Sequence, residues 1–462
     1  MSALPAVEQA CFWLAGRPPR IEAPPLAGRI EADLAIVGGG FTGLWTALFL
    51  KELEPRTEVV LLEAETCAYG ASGRNAGIVG ETLDHSHALA IRHFGFAEAR
   101  RMAEIGRRNL DELEDFVAER GIDAQFERRG QLIFALRDEH LSALSDDMAL
   151  AERLGVDSYR LLDAEEAQAE IHSSLYRGAL LLPRGATVEP VRLAEGLRRE
   201  AERRGVKVYE HSAVTSFDVN GTGVRAFTSG GEVAARRAVL ATNAYSLQLL
   251  PRLGHRYLPL YDYVMVSQPL SSTQKDALGW RQRRGATDAR AFFNYYRLTA
   301  DDRVLWGTSE AVYYPGNRAD RGCDHSPRHY QGLRESFAQH FPQLGDLEFP
   351  YAWGGPICST TRLTPFFGRA YGGRLLYGLG YTGHGIASTR LAGRILAHLA
   401  LEKPSPLLDL AMVRRAPLPF PPEPLRHWAI SAVERGLRRT DQGQPASLLL
   451  RLLDALGIGF SS

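Results

Sequence analysis

The sequence predicts an α/β fold of two interleaved domains, and three observations carry this prediction. Apolar residues 34–37 predict a strand, which is followed by glycines in G-x-G-x-x-G register, a predicted helix and a second strand at residues 59–62. This is the order of a dinucleotide-binding βαβ unit. A chain of 462 residues is too long for one ordinary core. Residues 257–353 have the alternating, turn-broken, aromatic pattern of an antiparallel sheet.

The three glycines of the first turn have distinct tasks in such a unit. Gly38 permits the tight turn, Gly40 lets the backbone approach a pyrophosphate, and Gly43 allows the helix to pack closely on the strand. The helix N-terminus adds N–H groups and a positive dipole. Glu63, twenty residues beyond Gly43, is placed to hydrogen-bond a ribose hydroxyl. These features predict a nucleotide cofactor, and the alternative is a glycine turn with a structural role alone.

The charge balance and the cysteines narrow the class of partner. Basic and acidic residues both number 54, so no long-range field draws the chain to nucleic acid or an anionic membrane. We therefore expect a small-molecule partner. The four cysteines are scattered without C-x-x-C spacing, which argues against a disulfide framework or a zinc site and favours a cytoplasmic location. Neither a signal peptide nor an uncharged apolar run long enough for a membrane span is expected.

The remaining elements follow from periodicity. Residues 1–31 are punctuated by prolines and are predicted to wrap the surface. The pattern then predicts helices between residues 91 and 121, a strand at 131–135, helices to 154 and over 191–204, sheet at 206–209 and 214–219, a buried strand at 237–244, and a helix at 387–402 after a second glycine-rich turn. The small residues Ala241 and Thr242 either line a ligand or simply end their strand.

Three motifs in order indicate a family. They are residues 36–43, the loop at residues 69–77 (YGASGRNAG) and the late turn at residues 380–385 (GYTGHG). Over about residues 30–402 the chain resembles the superfamily of FAD enzymes that contains glycine oxidase, sarcosine oxidase and D-amino acid oxidase, and within it the γ-glutamylputrescine oxidase-type proteins. The resemblance implies a Rossmann-like FAD-binding domain of the glutathione reductase type, and an antiparallel-sheet substrate domain with a helical cap that roofs the flavin.

The resemblance also implies a division of the chain. We expect an N-terminal extension at 1–31, an FAD-binding domain from 32–90, 190–255 and 355–402, a substrate and cap domain from 91–189 and 256–354, and a C-terminal amphipathic helical tail at 403–462. The tail contains a helical pattern around Trp428 and Leu437 and a leucine-rich helix at 447–456. It is interpreted either as two helices closing over the body or a neighbouring subunit, or as a basic membrane contact. The oligomeric state is left open.

The family resemblance implies cofactor contacts at individual positions of this sequence. The residues implied are Gly38, Gly40, Phe41, Thr42 and Gly43 at the pyrophosphate; Glu63 and Ala64 at the adenosine ribose; Ala71, Ser72, Gly73, Arg74, Asn75 and Gly77 along phosphate, ribityl and isoalloxazine; Val214 at the adenine; Ala241, Thr242 and Asn243 along the cofactor; and Gly380, Tyr381, Thr382, Gly383, Gly385 and Ile386 at the pyrimidine edge. Arg74 offers a donor fork for phosphate, and its alternative is an ordinary surface arginine. Asn243 departs from the family, where a glycine is usual.

Two further positions bear on the flavin. His384 is either protonated, close to the reduced flavin or the substrate, or neutral and holding the loop. Sarcosine oxidase-like relatives link FAD to a cysteine shortly before the late motif, and Cys358 lies in that region, but its spacing to Pro365 is shorter. We predict noncovalent FAD, with Cys358 a small buried side chain. No metal is expected, because histidines 85, 87 and 93 lack the spacing of a metal site.

The chemistry implied is oxidation of an amine. A hydride passes from the carbon beside the nitrogen to flavin N5, the imine is hydrolysed, and O2 reoxidises the flavin to give H2O2. Tyr295, Tyr296, Trp306 and Trp353 are candidates for an aromatic roof over the flavin. Arg297 either clamps a carboxylate or phosphonate of the substrate or pairs with one of the acids at 301 and 302. Rival hypotheses are a dehydrogenase that uses a quinone or carrier, a noncatalytic FAD-binding protein, and an NAD enzyme.

Overall fold

The computed structural model describes residues 6–83, 85–221, 223–455 and 457–458. The elements before residue 95 are α1 (Val7–Ala10), α2 (Phe12–Ala15), β1 (Gly28–Val37), α3 (Phe41–Leu53), β2 (Val59–Leu62), α4 (Ala71–Arg74), β3 (Ile78–Val79) and α5 (His87–Phe94). Those from residue 96 to 240 are α6 (Phe96–Glu119), β4 (Gln131–Ala135), α7 (Asp138–Arg153), β5 (Arg160–Leu162), α8 (Ala164–Glu170), β6 (Gly178–Leu182), β7 (Ala186–Thr187), α9 (Pro190–Arg203), β8 (Lys207–Tyr209), β9 (Ser216–Val219), β10 (Val224–Phe227) and β11 (Gly231–Leu240). Those that follow are β12 (Leu258–Val266), α10 (Ser272–Leu278), β13 (Gly285–Asp288), β14 (Asn294–Leu298), β15 (Val304–Thr308), β16 (Val312–Tyr313), α11 (Pro327–His340), β17 (Tyr351–Ser359), β18 (Phe366–Ala370), β19 (Leu375–Leu379), α12 (Gly385–Leu401), α13 (Ala411–Arg414), α14 (Leu425–Asp441) and α15 (Leu448–Ala455).

The first sheet is built around β1 and has the order β18-β19-β11-β1-β2-β8. Its five strands from β19 to β8 are parallel, whereas β18, β9 and β10 add antiparallel pairs. All four residues of β2 are buried, as expected for a parallel strand covered on both faces. The helices α3 and α12 pack against each other, and Gly393 of α12 lets the backbone of α3 approach closely at Trp45 and Thr46. The predicted dinucleotide-binding unit is present.

The second sheet has the order β16-β12-β15-β14-β13-β4-β6-β5, with β17 pairing along β12. Its pairs are antiparallel except for β13 with β4. One face is buried against α8, α10 and α11 and contains the side chains of Tyr261, Tyr263, Tyr296 and Trp306. The opposite face is directed at the first domain. Two domains, each built on its own sheet from discontinuous segments, confirm the predicted interleaved α/β fold.

Two predicted domain boundaries fall inside strands and are corrected. Strand β1 already begins at Gly28, so its first residues belong to the FAD-binding sheet and not to an N-terminal extension ending at 31. Strand β17 runs to Ser359 in the second sheet, so the boundary proposed before residue 355 moves to its end. Leu110 and Leu113 of α6 share a core with Leu44 of α3, so this helix packs on the first domain. The rest of the proposed division stays a prediction.

The N-terminal segment is held by a buried ion-pair group. The guanidinium of Arg20 donates two hydrogen bonds of 2.8 Å to Glu210 and lies 3.1 Å from Glu195. Glu210 also accepts from the backbone N–H groups of Ala23 and Cys67. Arg20 and Ala23 therefore hold this part of the segment on the first domain. The helices α1 and α2 before it do not lie on the surface, because Cys11 and Trp13 are buried in a core with Trp353 of the second sheet, so the prediction of a surface segment is wrong for them.

The C-terminal tail lies on the body of the protein. Val433 and Leu437 of α14 pack with Leu450 of α15. The Asp441 carboxylate accepts hydrogen bonds of 2.7 and 2.9 Å from the N–H groups of residues 291 and 292 in the substrate domain. Trp428 remains 63% exposed. In the described part of the chain, none of the helices is long and apolar enough to cross a membrane.

Candidate active site

The first glycine turn is closed so tightly that side chains are excluded. Gly38 has φ +112°, and a Cβ there would lie 2.7 Å from the carbonyl oxygen of Ala241. A Cβ on Gly43 would lie 1.9 Å from the carbonyl oxygen of Gly38. Helix α3 thus starts directly against the end of β1, with Gly40 as its N-cap and no side-chain cap.

The acid after β2 faces this turn. The Glu63 carboxylate accepts hydrogen bonds from the N–H of Gly39 at 2.6 Å and from the N–H of Glu65 at 3.0 Å. Burial raises its pKa. Its backbone carbonyl accepts from the N–H of Ser212, which brings the loop containing Val214 to the same edge. The structure therefore brings together the residues predicted for the adenosine end, with exposed Ala64 beside them.

The loop at residues 69–77 is held by Asn75. Its Nδ2 donates to the carbonyls of Ala71 and Ser72 at 3.0 Å, and its Oδ1 accepts from the N–H of Gly77 at 2.8 Å. The Ser72 hydroxyl accepts from the N–H of Phe41 at the start of α3. Asn75 and Ser72 therefore set the course of the loop beside the glycine turn.

Arg74 is not a surface residue, and its Nε and Nη1 are paired within the protein. Its Nε donates to the carbonyl of Tyr69 at 2.9 Å, and its Nη1 donates to Asp324 at 2.9 Å and to the carbonyl of Gly354 at 3.2 Å. The side chain is buried. The surface interpretation is wrong, because the buried guanidinium joins the loop to the second domain. The Nη2 of Arg74 is buried without a hydrogen-bond partner, and the cofactor contact stays a prediction.

The second glycine turn meets the first. The Thr42 hydroxyl donates to the Tyr381 hydroxyl at 2.9 Å. Gly380 has φ +88°, and a Cβ there would lie 2.5 Å from the Thr360 side chain. Asn243 adopts φ +43° and accepts from the N–H of Gly380. Because asparagine tolerates positive φ, it fills the position where the family has glycine.

His384 lies against a second histidine. Its ring centroid is 4.2 Å from that of His85, with the planes nearly perpendicular. Burial, and next the proximity of His85, lowers the pKa of His384 to about 3, and burial lowers the pKa of His85 to about 4. Both rings are therefore neutral at neutral pH. The His85 Nε2 bonds the carbonyl of Thr382 and so pins the late loop. Among the described residues, no group of three metal-binding side chains is found.

Tyr296 and Trp306 are not part of a roof over the flavin. Tyr296 stacks on Trp306 with centroids 4.7 Å apart and shares a hydrogen bond with the Tyr176 hydroxyl. Trp306 Nε1 donates to the Ser336 hydroxyl of α11. Both rings lie on the face turned away from the first domain. Neighbouring residues of a strand point to opposite faces, so Tyr295 and Tyr296 cannot both face the cofactor.

Arg297 is on the facing side of the sheet, and its Nε and Nη1 donate to backbone carbonyls. Its Nη1 donates to the carbonyls of Val188 at 2.6 Å and Gly77 at 3.1 Å, and its Nε donates to the carbonyl of Leu298 at 3.1 Å. The acids at 301 and 302 pair with other cations. The predicted ion pair is therefore not formed, whereas the substrate clamp stays a prediction. Trp353, also on this side, donates from Nε1 to the carbonyl of Arg74 at 2.9 Å.

Asp262 stands near the centre of the same face. Its Oδ2 accepts a hydrogen bond of 2.7 Å from the Tyr295 hydroxyl, and burial raises the pKa of the carboxyl to about 7. Leu260, Gly355 and Ile357 surround it, and these three residues, Asp262 and Tyr295 retain partial exposure. This partly exposed strip faces the first domain.

Comparison with known proteins decides the family. A model described as "DAO: FAD dependent oxidoreductase" matches residues 33–399. The chain belongs to this DAO family. It is 33% identical over 371 residues to the γ-glutamylputrescine oxidoreductase of Escherichia coli (strain K12), covering 80% of this chain and 84% of the relative. It is 24% identical over 386 residues to the glycine oxidase of Geobacillus kaustophilus (strain HTA426), covering 82% and 95%.

Solved structures share the fold. A crystal structure of glycine oxidase from Geobacillus kaustophilus aligns with a TM-score of 0.69 at 22% identity, covering 83% of this chain and 99% of that one. The DAO-family protein is therefore an FAD-dependent oxidoreductase, and the resemblance drawn from three motifs is confirmed.

The geometry fits FAD. Helix α12, like α3, begins without a side-chain cap, so both helix starts offer N–H donors to an anionic or polar group. Gly38 and Gly380 have no room for a Cβ against Ala241 and Thr360, so both turns must be formed by bare backbone, as in a turn that binds a cofactor through its N–H groups. In this DAO-family chain, the residues around the two turns would hold FAD, and their individual contacts stay predictions.

The mode of attachment also stays a prediction. The Cys358 thiol is fully buried in a core with Leu240 and Phe366, and burial raises its pKa well above the usual value. A thiol that resists ionisation is a poor nucleophile toward the flavin. This supports noncovalent FAD.

Asp262 and His85 are residues that reasoning from the sequence did not place in the site. The signal for Asp262 was present, because it is the sole charge in an otherwise apolar and aromatic strand, β12. His85 carried no such signal, since its partner lies far away in the late turn. Contacts of that kind depend on the tertiary fold.

Proposed function

We propose that the protein oxidises the C–N bond of a primary or secondary amine, such as an amino acid, an N-methyl amine or a polyamine derivative. The substrate carbon loses a hydride and its nitrogen a proton, water hydrolyses the imine to a carbonyl compound and an amine, and O2 takes the two electrons to become H2O2. Bound FAD supplies the two-electron acceptor.

The observation that carries this proposal is the facing strip of the second sheet. It presents Leu260, Ile357 and the Tyr295 ring toward the glycine turns. Apolar and aromatic walls suit an amine that must be bound unprotonated and shielded from water while its C–H is oriented. The names of two relatives, γ-glutamylputrescine oxidoreductase and glycine oxidase, support an amine as substrate.

The polar side chains near this strip mainly hold backbone segments in position. Arg297 holds the carbonyls of Gly77 and Val188, and this would fix the segment that we expect beside the flavin. The neutral pair His85 and His384 holds the late turn without adding charge. These contacts support a rigid pocket whose binding relies on shape and on few charges.

There are two alternatives to the proposed oxidase activity. Electrons could pass to a quinone or carrier, or the protein could bind FAD without turnover. We propose O2 as the acceptor and the cytoplasm as the location. The four free, buried cysteines are compatible with a reducing compartment.

Anaerobic titration tests the proposal. Purified holoprotein is mixed with a panel of amines while the visible absorbance of the flavin is followed, and air is then readmitted. Bleaching by an amine, followed by recovery with formation of H2O2, is the expected result. Bleaching that only a quinone or carrier reverses would identify a dehydrogenase. A flavin that no amine reduces would contradict amine oxidation.

A further inference from the structure

The N-terminal helices α1 and α2 lie between the two domains. Trp13 and Leu14 are buried in one core with Val191 of α9, which belongs to the first domain, and with Val264 of β12 in the second sheet. The family model matches residues 33–399, so these helices precede the matched part of the chain. A segment outside the family match therefore fills part of the interface between the domains.

Trp13 holds the loop at residues 69–77 from one side. Its indole Nε1 donates a hydrogen bond of 2.9 Å to the backbone carbonyl of Asn75. The side-chain oxygen of Asn75 in turn accepts from the N–H of Gly77 at 2.8 Å. Trp13 is only 3% exposed, so water does not readily replace this donor. The position of the indole therefore sets where the turn from Asn75 to Gly77 lies.

Arg297 holds the same segment from the second sheet. Its Nη1 donates to the carbonyl of Gly77 at 3.1 Å. Gly77 has no free space there, since a Cβ would lie 2.2 Å from the carbonyl oxygen of Val188 and 2.7 Å from Nη1 of Arg297. The guanidinium carbon of Arg297 lies 5.8 Å from the centroid of the Trp13 ring, within range of a cation–π contact. These contacts form a closed ring of four residues that begins and ends at Trp13.

The charge of Arg297 also depends on the indole. Burial lowers the pKa of Arg297 to about 10, so the guanidinium stays charged at neutral pH. Its hydrogen bonds go to backbone carbonyls, and the face of the Trp13 ring adds a favourable electrostatic contact. Trp13 thus contacts both groups that hold Gly77.

We propose that Trp13 is a positioning residue for FAD, which holds residues 75–77 in the one course that lets the isoalloxazine bind. The family resemblance implies that this segment runs along the ribityl chain and the isoalloxazine. A loop that loses an anchor spends part of its time in other courses, and the apparent affinity for a ligand falls with the fraction of protein that is competent to bind it. The inference goes beyond the proposed amine oxidation, because it concerns retention of the cofactor whatever the substrate.

The test compares two tryptophans in matched environments. Trp13→Phe keeps an aromatic ring but removes the donor to Asn75. Trp280→Phe is the control, because Trp280 is 4% exposed and also donates to a backbone carbonyl, that of Arg284 at 3.0 Å, in the core on the far side of the second sheet. The dissociation constant for FAD is measured by fluorescence titration of apoprotein. We expect it to rise about fivefold in Trp13→Phe, as the loss of one buried hydrogen bond predicts, and to stay unchanged in Trp280→Phe.

The visible circular dichroism of the bound flavin gives a second readout, because it reports the surroundings of the isoalloxazine. It should change in Trp13→Phe alone, whereas thermal unfolding should show a similar loss of stability in both variants. Wild-type FAD affinity and an unchanged flavin signal in Trp13→Phe would overturn the proposal. An equal rise of the dissociation constant in Trp280→Phe would overturn it too, since the effect would then be one of general packing.

Hydrogen exchange of the wild type decides the matter if Trp13→Phe does not fold. The amide of Ala15 donates to the carbonyl of Cys11 at 2.9 Å and reports α2, and the amide of Gly279 donates to the carbonyl of Lys275 at 3.0 Å and reports α10. FAD should slow exchange more at Ala15 than at Gly279, and equal slowing would overturn the role of Trp13. A holoprotein that shows these effects but that no amine reduces would count against the proposed oxidation alone.

Discussion

The Thr42 hydroxyl donates a hydrogen bond of 2.9 Å to the hydroxyl of Tyr381, which follows it by 339 residues. This contact joins the start of α3 to the turn before α12. In both helices the N-cap residue makes no side-chain cap, and at the start of α3 the N–H of Phe41 donates to the Ser72 hydroxyl, so the contact brings the remaining N–H donors of the two helix starts together. The first and last segments of the FAD-binding domain meet there.

Removing the Tyr381 hydroxyl should weaken the binding of FAD. In Tyr381→Phe the buried Thr42 hydroxyl loses its acceptor, and a hydrogen bond of this kind contributes about 1 kcal/mol. We expect the dissociation constant for FAD to rise about fivefold. Fluorescence titration of apoprotein with FAD measures it. Tyr371→Phe, at an exposed position, is the control, and equal affinities in both variants would contradict the assigned role.

Gly43→Ala should abolish FAD binding. The added methyl group would lie 1.9 Å from the carbonyl oxygen of Gly38, so the turn must open. The ratio of flavin to protein absorbance in purified protein reports the loss. Gly332→Ala in α11 meets open space and should stabilise that helix by about 0.5–1 kcal/mol with full flavin content. Normal flavin content in Gly43→Ala would refute the assignment of the turn.

The buried ion pair of Arg74 and Asp324 should stabilise the interface of the two domains. The two side chains are 2% and 4% exposed and 2.9 Å apart. Asp324→Asn leaves the guanidinium without its counter-charge, which should cost about 3 kcal/mol in the free energy of unfolding. Urea denaturation measures this cost. Arg74→Met combined with Asp324→Leu should recover part of it, and a single variant as stable as wild type would exclude an energetic role for the pair.

The two adjacent tyrosines should behave differently. Tyr295→Phe removes the donor to Asp262 on the facing side, so we expect kcat/KM for a reactive amine to fall. Tyr296→Phe removes a hydrogen bond to Tyr176 on the far side, so we expect a loss of about 1 kcal/mol of stability and an unchanged kcat/KM. Steady-state kinetics and thermal unfolding of both variants test this. A lower kcat/KM in Tyr296→Phe together with an unchanged kcat/KM in Tyr295→Phe would instead indicate that Tyr296 belongs to the active site.

The pH dependence of stability should reveal the Asp262 carboxyl. Its pKa in the folded protein is about 7, above the value of a free aspartate, so folding is favoured while the group is protonated and this contribution is lost as pH rises toward 7. Asp262→Asn removes the penalty of a buried charge. It should exceed the wild type in stability by on the order of 1–3 kcal/mol at about pH 8, with a gap that narrows toward about pH 5. Parallel pH curves in urea unfolding would contradict this.

Part of the site was predictable because its determinants are local. The spacing of Gly38, Gly40 and Gly43 after an apolar strand sets the turn through backbone sterics, and Glu63 follows at a fixed distance along the chain. Such local patterns do not depend on contacts with distant parts of the chain. The same is true of the late turn, whose positive φ values at Gly380 and Gly383 require glycine.

The chemistry of single side chains was decided by the tertiary structure. Arg74 and Arg297 both carry donor groups suited to anions, yet distant parts of the chain supply oxygens that accept from Nη1 of each. Tyr296 differs from Tyr295 only in the face of the sheet to which it points, and that depends on register and on which domain covers the face.

The sequence by itself determined the family, the cofactor and the alternation of the two domains, because glycine spacing and hydrophobic period are properties of neighbouring residues. The tertiary structure alone decided that Asp262 faces the pocket with one oxygen unpaired and that His85 meets His384. Those relationships arise from strand pairing and domain packing between residues far apart in the chain. They therefore cannot be predicted from a local sequence pattern.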